Sequence, residues 1–298
     1  MKIYDCFMFF DETMLLEIRL NVLSKFVDKF IITESKYCHN GQSKKLNFNI
    51  KNFLNFKNKI EYIVVDQQPD SIIHENINDN YIEKNEKKIL NSLKRENYQR
   101  DLLALGLKNI NSEDLVIISD VDEIPNLEKL KLKKFGNQIL IFKQKMFYYK
   151  FNLYYENFDW FGSKAVKKKN LTSPQWLRNI KSKKYPIWRL DTHFSNKKYN
   201  NIKFIENGGW HFTCIKSPES VHQKLLSYLH HQDYESSNIH IEDLKKKMKE
   251  KKILYDHNQD KKEINKWTTN KTLTKIETHS LPKYLQDHSY KYREWFEN

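Results

Sequence analysis

The first 125 residues alternate between short apolar runs and stretches with helical periodicity. Two stretches have apolar residues at helical spacing, LLEIRLNVLSKFV and EKKILNSLKRENYQRDLLALGL. Four runs have the length and composition of buried strands: KIYDCFMFF, KFIITES, IEYIVVD and LVIISD. Strands separated by helices predict an α/β fold with a mainly parallel central sheet that is flanked by helices.

The second half of the chain changes character. Residues 139–215 contain aromatic-rich strand candidates that extend the sheet: QILIFKQKMFYYKFNLYY, WFGSKAV, IWRLDTHF and KFIENGGWHFTCI. From Pro218 onward the pattern is helical and increasingly basic. We therefore predict one domain over residues 1–235, followed by a basic helical C-terminal extension, residues 236–298, that packs on it.

Three carboxylates follow the fourth strand candidate, in LVIISDVDEIP. In open α/β sheets, ligands bind beyond the carboxyl ends of the strands. A turn there lets Asp120 and Asp122 converge on one divalent cation, Mg²⁺ or Mn²⁺, which prefers oxygen ligands and cancels the repulsion between the carboxylates. A bare Asp-x-Asp more often marks a solvated loop, but its position at the ligand edge of the sheet favours a metal site here. Glu123 is expected only to support the turn.

The helical segment KRENYQRD, residues 94–101, is a second candidate. Arg95 and Gln99 lie near one face of this helix, whereas Glu96 and Arg100 share another. The alternative interpretation is an exposed helix stabilised by ion pairs.

The segment ENGGWHF, residues 206–212, is a third candidate. Its glycine pair permits close backbone approach to a ligand, and Trp210 offers a flat face for a sugar ring. His211 has the chemistry to bind a metal or to contact a diphosphate. The alternative is a tight turn with a core tryptophan and a hydrogen-bonded histidine, and the sequence leaves both interpretations open.

Charge and cysteine content limit the classes of function. The formal net charge of +14 predicts attraction to nucleic acid, anionic lipid or a phosphate-bearing small molecule. The three cysteines are scattered, which argues against a disulfide framework or zinc finger and suits a reducing compartment. The N-terminal MKIYDCFMFFDE resembles neither a cleavable signal nor a membrane span, so a cytoplasmic protein is expected. The chain has no Walker, GxGxxG, GxSxG or HExxH motif.

Several blocks together resemble glycosyltransferase family 17, the family of the β-1,4-mannosyl-glycoprotein 4-β-N-acetylglucosaminyltransferase. The resemblance covers roughly residues 1–235, in the same order, and rests on these blocks: YDCFMFFDETMLLEIRLNVL, FIITES with the His-Asn-Gly beyond it, RENYQRD, VIISDVDEIP and GGWHF. It implies a GT-A type nucleotide-sugar fold and an inverting mechanism. It also implies an Asp-x-Asp motif that holds Mn²⁺ or Mg²⁺ against the diphosphate of UDP-N-acetylglucosamine.

The resemblance also implies roles for individual residues. Asp120 and Asp122 would bind the metal and the nucleotide sugar, and we add His211 as a metal ligand. Trp160 and Trp210 are predicted contacts of the sugar or acceptor. The remaining residues of the predicted nucleotide pocket lie in family-like blocks: Glu34, Arg95, Gln99, Arg100 and Asp101.

Inversion requires a general base beside the acceptor hydroxyl. Glu206 is the predicted base, and Asp159, Asp233 and Glu235 are alternatives. The expected partners are a UDP-sugar donor and a glycan acceptor, with no dedicated nucleic-acid partner and with peripheral contact to an anionic membrane or a lipid-linked glycan. Two other functions remain open at this point: a metal-dependent phosphoryl-transfer enzyme, and a basic protein that binds nucleic acid or membranes.

Overall fold

The secondary structure follows the apolar runs and helical periodicity of the sequence. The computed structural model describes residues 1–130, 136–186, 188–192, 194–227, 234, 237, 239–257 and 267–298. The strands in these residues are β1 (Ile3–Met8), β2 (Lys29–Ser35), β3 (Ile60–Val65), β4 (Leu115–Asp120), β5 (Glu123–Pro125), β6 (Ile139–Phe142), β7 (Gln144–Tyr148), β8 (Leu153–Trp160), β9 (Lys164–Lys167), β10 (Ile202–Ile205), β11 (Gly209–Thr213) and β12 (Thr274–Lys275). The α-helices in the described residues are α1 (Thr13–Leu23), α2 (Tyr81–Asp101), α3 (Pro174–Asn179), α4 (Pro218–Ser227), α5 (Ile241–Lys249) and α6 (Lys283–Asp287).

Two mixed sheets form the centre of the molecule. The seven-stranded sheet has the order β10-β6-β9-β4-β1-β2-β3, and the five-stranded sheet has the order β12-β8-β7-β11-β5. Strands β3, β2, β1 and β4 pair in parallel, as do β10 and β6, but β9 runs antiparallel between β4 and β6. In the smaller sheet only β11 and β7 pair in parallel. The predicted α/β fold is therefore confirmed, whereas a mainly parallel sheet is not.

The chain passes directly between the two sheets four times. The links are residues 121–122 between β4 and β5, residue 143 between β6 and β7, residues 161–163 between β8 and β9, and residues 206–208 between β10 and β11. Backbone hydrogen bonds fasten them together, among them Lys143 N to the Ile205 carbonyl at 3.0 Å and Asn126 N to the Gly208 carbonyl at 2.8 Å. Segments far apart in sequence therefore meet at this junction of the sheets.

Apolar layers cover both faces of the large sheet. Successive residues of a strand point to opposite faces, so Ile3 and Phe7 of β1 pack with α1, whereas Tyr4 and Cys6 pack on the other side. Asp5 lies on the same face as Ile3 and Phe7 and is fully buried. The buried charge of Asp5 must therefore be paired from α1.

The C-terminal extension packs on both sheets. Strand β12 pairs with β8, and the buried residues Leu281, Leu285 and Tyr292 join the same apolar cluster as α1. Its described residues include helices α5 and α6. The predicted domain boundary at residues 235–236 lies outside the described residues and stays a prediction. No helix in the described part of the chain is long and apolar enough to span a bilayer.

One strand prediction is wrong. The described residues of IWRLDTHF contain a 3₁₀ turn, Leu190–Thr192, instead of a strand. Trp188 and Phe194 are 81% and 91% exposed, so they do not supply the buried face that a strand in the sheet requires. Pro186 also precedes the segment, and proline lacks the backbone donor that a paired strand uses.

Candidate active site

The Asp-x-Asp turn lies where the chain leaves the large sheet and enters the small one. Asp120 ends β4, and Glu123 begins β5. The backbone N–H of Asp120 donates to Glu123 Oε2 at 2.8 Å, and the N–H of Phe212 in β11 donates to the Asp122 carbonyl at 2.9 Å. The turn is thus fixed by the fold and is not a solvated loop.

Two arginines contact the Asp120 carboxylate. Arg100 of α2 donates to Oδ1 at 3.1 Å, and Arg178 of α3 donates to Oδ2 at 2.8 Å. Burial alone would raise the pKa of Asp120, but these two guanidinium groups outweigh burial and lower it. Asp120 is therefore an anion that orients two cations at the junction.

Glu123 does more than support the turn. Its fully buried carboxylate accepts hydrogen bonds from Trp160 Nε1 at 2.7 Å and from Arg178 at 2.8 and 3.1 Å. Burial would lower the pKa of Arg178, but Asp120 and Glu123 outweigh burial and raise it above its usual value. Arg178 therefore stays charged and bridges both carboxylates.

Asp122 faces a second group of side chains. Its Oδ2 lies 3.7 Å from His211 Nε2 and 3.9 Å from Lys224 Nζ of α4, which also lies 3.3 Å from Glu12 Oε1. Burial would raise the pKa of Asp122, but His211 and Lys224 hold it well below its usual range. The His211 ring stacks on Trp160 with centroids 4.6 Å apart, which fixes the orientation of the imidazole. Asp122, His211 and Lys224 thus lie together, whereas the carboxylate of Asp120, the third predicted metal ligand, is occupied by Arg100 and Arg178.

Arg19 stabilises the backbone of the Asp-x-Asp turn. This fully buried side chain of α1 pairs with Asp5 at 2.6 Å. It also donates to the carbonyl oxygens of Asp120 at 3.1 Å and Glu123 at 2.5 Å. One guanidinium therefore satisfies both a buried charge and the backbone of the turn.

The predicted pocket residues of α2 mainly connect structural elements. Gln99 Nε2 donates to the Thr33 carbonyl of β2 at 3.0 Å, and Arg95 donates to Gln68 Oε1 at 2.7 Å and to the His39 carbonyl at 3.2 Å. Asp101 accepts from the Gln175 N–H in the first turn of α3 at 2.8 Å. The His-Asn-Gly block beyond β2 therefore contacts the RENYQRD block through Arg95 and His39. Asp101, however, holds the start of α3 in position and does not contact Asp120.

Glu34 fastens a neighbouring loop. Its fully buried carboxylate accepts from Lys44 Nζ at 2.6 Å, from the backbone N–H groups of Asn47 and Phe48 at 2.7 and 3.0 Å, and from the Tyr62 hydroxyl at 2.8 Å. These four donors hold the residues that follow β2, so the contacts of Glu34 are internal to the protein.

In the ENGGWHF segment, one aromatic side chain lies at the candidate site and the other packs within the protein. Trp210 lies on the opposite face of β11 from His211 and donates from Nε1 to the Ser280 carbonyl at 2.8 Å. Gly209 has φ +133°, and a Cβ there would lie 2.1 Å from the Ile124 carbonyl oxygen, so this glycine permits close approach of β11 to β5. Trp210 therefore secures the C-terminal extension, and His211 alone of the two faces Asp122.

Two of the four candidates for the general base, Glu206 and Asp159, form ion pairs with the same lysine. Lys143 Nζ lies 2.8 Å from Glu206 Oε2 and 3.0 Å from Asp159 Oδ2. Asp159 also lines a cavity of about 470 Å³, which is bordered by Asn157, Phe158, Asp159, Trp160, Phe161 and Ser182. The other two candidates, Asp233 and Glu235, lie outside the described residues.

Comparison with known proteins assigns the chain to a family. The model of glycosyltransferase family 17 matches residues 1–295. The chain belongs to glycosyltransferase family 17. It is therefore a glycosyltransferase, which uses a sugar donor and a glycan acceptor, and this decides against a phosphoryl-transfer enzyme or a purely binding protein. No individually curated protein matches the chain significantly. The match extends through the C-terminal extension, beyond the residues on which the sequence resemblance rests.

For a family 17 enzyme, the donor set at the junction fits a divalent cation that binds together with its substrate. Cis ligand atoms on an octahedral Mg²⁺-like ion at about 2.1 Å lie about 3 Å apart, so Asp122 Oδ2 and His211 Nε2, which are 3.7 Å apart, would have to move closer together to share one. Within the described residues, no group of three His, Cys, Asp or Glu side chains is placed to hold a metal without further ligands. Such ions usually complete their coordination with water and substrate phosphates.

Three cations at this junction carry no prediction from the sequence. The chain has 52 lysines and arginines, and no local sequence pattern distinguishes Arg178 and Lys224 from the others. Arg19 did have a signal, because it interrupts an otherwise apolar helix face and Asp5 interrupts an apolar strand. Charged residues on predicted buried faces are normally paired.

Proposed function

We propose that the protein transfers N-acetylglucosamine from UDP-N-acetylglucosamine to a glycan acceptor, with inversion, on a GT-A type fold. The observation that carries the proposal is the set of side chains at the junction of the sheets, where Asp122 and His211 lie near three cations: Arg100, Arg178 and Lys224. The choice of UDP-N-acetylglucosamine as the donor is supported by the resemblance of the sequence blocks to family 17.

The same site supports binding of the donor diphosphate. Asp122 and His211 would hold Mn²⁺ or Mg²⁺, and the bound cation would neutralise charge on the leaving diphosphate. Lys224, 3.9 Å from Asp122, and Arg178 supply positive charge next to the same place. Asp120 keeps Arg100 and Arg178 in position through its two carboxylate oxygens. These side chains therefore bind and orient the diphosphate of the donor.

The acceptor side of the proposal uses the cavity beside Trp160. Its aromatic side chains Phe158 and Trp160 offer apolar faces to a saccharide ring, and Asp159 and Asn157 offer polar groups to its hydroxyls. An acceptor hydroxyl would attack the anomeric carbon from the face opposite UDP and lose its proton to Glu206, which Lys143 holds next to Asp159.

A donor panel tests the proposed function. UDP-N-acetylglucosamine should raise the thermal unfolding midpoint of the purified protein in the presence of Mn²⁺, because a ligand that binds only the folded state stabilises it. UDP-glucose, UDP-galactose, GDP-mannose and a DNA duplex serve as comparisons. Slow hydrolysis of UDP-N-acetylglucosamine, measured as UDP release, should accompany the shift. A protein stabilised by GDP-mannose alone would contradict the donor assignment.

Substitution of the two paired carboxylates identifies the base. We expect Glu206→Gln to lower kcat for transfer by about 10²–10⁴-fold, which is the usual contribution of a general base. Asp159→Asn should raise KM for the acceptor and leave kcat for UDP-N-acetylglucosamine hydrolysis unchanged. Both variants keep the size of the side chain at positions that are more than half exposed, so folding is preserved. If only Asp159→Asn abolishes transfer, the assignment of Glu206 is wrong.

A further inference from the structure

A loop beside the active site exposes large apolar side chains. Residues 181–186, 188–192 and 194–198, here called the aromatic loop, begin two residues after the end of α3. Trp188, Leu190 and Phe194 are 81%, 74% and 91% exposed. Isolated exposed apolar residues are ordinary, but three large ones within seven positions, here called the apolar patch, expose an unusual amount of apolar side chain in one short segment.

The aromatic loop is also strongly basic. It has a single acidic residue, Asp191, which is paired with Arg189 at 2.8 Å and with Lys198 at 2.6 Å. Its six cations surround the apolar patch in sequence: Lys181, Lys183, Lys184, Arg189, Lys197 and Lys198. A cationic rim around exposed tryptophan, leucine and phenylalanine is the combination that binds the interface of an anionic bilayer.

We propose that the aromatic loop docks the protein on an anionic lipid membrane. Trp188, Leu190 and Phe194 enter the boundary between headgroups and acyl chains, and the lysines contact lipid phosphates. Single-stranded nucleic acid also stacks on aromatic side chains, but Leu190 has no flat ring for a base to stack on. An apolar leucine between two aromatic residues favours the lipid interface.

Another exposed apolar region lacks this charge pattern. Ile77, Tyr81 and Ile82, at and before the start of α2, are 97%, 77% and 67% exposed. Residues 75–86 around them carry one lysine, Lys84, and four carboxylates, namely Glu75, Asp79, Glu83 and Glu86. An anionic surface would repel these carboxylates, so this region provides a matched control for the aromatic loop.

The aromatic loop lies next to the catalytic region. Arg178, which pairs with Asp120, is three residues before its start, and Ser182 within it borders the cavity beside Trp160. A membrane-docked protein would therefore hold this cavity near the lipid surface. Docking itself does not depend on which donor or acceptor the enzyme uses.

Vesicle co-sedimentation of the full chain tests the proposal. We expect binding to vesicles of phosphatidylcholine mixed with phosphatidylglycerol and much weaker binding to phosphatidylcholine alone. The triple variant W188S/L190S/F194S should bind the anionic vesicles at least about tenfold more weakly, because it loses the apolar side chains that enter the interface. Lys183→Glu with Lys184→Glu should also weaken binding, and added salt should weaken binding of the wild type.

The control variant Ile77→Ser with Ile82→Ser should bind as the wild type does. All five apolar positions are largely exposed, so unchanged thermal midpoints will show that the variants fold. The proposal is overturned if the triple variant binds anionic vesicles as tightly as the wild type, or if the control variant loses as much binding. Binding of the wild type to a single-stranded oligonucleotide but not to vesicles would also overturn it.

Discussion

Asp122→Asn is expected to lower kcat/KM for UDP-N-acetylglucosamine by at least about a hundredfold, the usual effect of removing one charge-stabilising group. Asparagine keeps the shape of the side chain but removes the negative charge that faces His211 and Lys224. The proposed cation then loses its carboxylate ligand. Steady-state UDP release, measured at saturating Mn²⁺, gives kcat/KM for the variant and the wild type.

A nearby carboxylate supplies the control for this variant. Asp11 is paired with Lys216 and is 40% exposed, so Asp11→Asn should leave kcat/KM unchanged. Circular dichroism of both variants checks that the fold is retained. Wild-type activity in Asp122→Asn would show that the Asp-x-Asp turn does not act on the donor.

Arg19→Met is expected to lower the free energy of unfolding by about 3–5 kcal/mol, the usual cost of removing one partner from a buried ion pair. The substitution leaves the fully buried Asp5 without its cation and removes the donor to the carbonyl oxygens of Asp120 and Glu123. Urea unfolding followed by fluorescence measures the change.

Two comparisons separate this effect from ordinary surface electrostatics. Lys25 pairs with Glu128 in a bridge whose side chains are 60% and 55% exposed, so Lys25→Met should cost less than about 1 kcal/mol. Adding Asp5→Leu to Arg19→Met should recover part of the lost stability, because the uncompensated buried charge is gone. An Arg19→Met protein as stable as Lys25→Met would show that the buried pair does not secure the turn.

Local sequence predicts the strands better than it predicts their pairing. The runs KFIITES and LVIISD correspond to β2 and β4 residue for residue, because β-branched apolar residues fit a strand that is buried on both faces. The antiparallel insertion of β9 has no local signal, since the pairing of Lys164–Lys167 with β4 and β6 depends on contacts far along the chain. The mixed character of the sheet therefore appears only in the structure.

Residues of the candidate site could be predicted where a side chain able to bind a metal or phosphate lies in a strand candidate or just after it. Asp122 and His211 were predicted because each follows or lies in a strand candidate, and the junction of the sheets places them 3.7 Å apart. Glu34, which was predicted from a family-like block, and Trp210, which was predicted from a strand candidate, instead form hydrogen bonds that join elements of the fold. A polar side chain at a strand end meets a ligand or a neighbouring loop, and only tertiary packing decides which. Arg178 illustrates the converse, because α3 carries it to the site from an unremarkable basic stretch.

The measurement that bears most directly on the proposed centre is a calorimetric titration of UDP into the protein with and without Mn²⁺. We predict that Mn²⁺ tightens UDP binding to the wild type at least about tenfold, because the cation would join Asp122 and His211 to the diphosphate. His211→Ala and Asp122→Asn should each remove this gain and leave the weak binding without metal intact. Equal UDP affinity with and without Mn²⁺, or an undiminished gain in both variants, would contradict a metal centre at these residues.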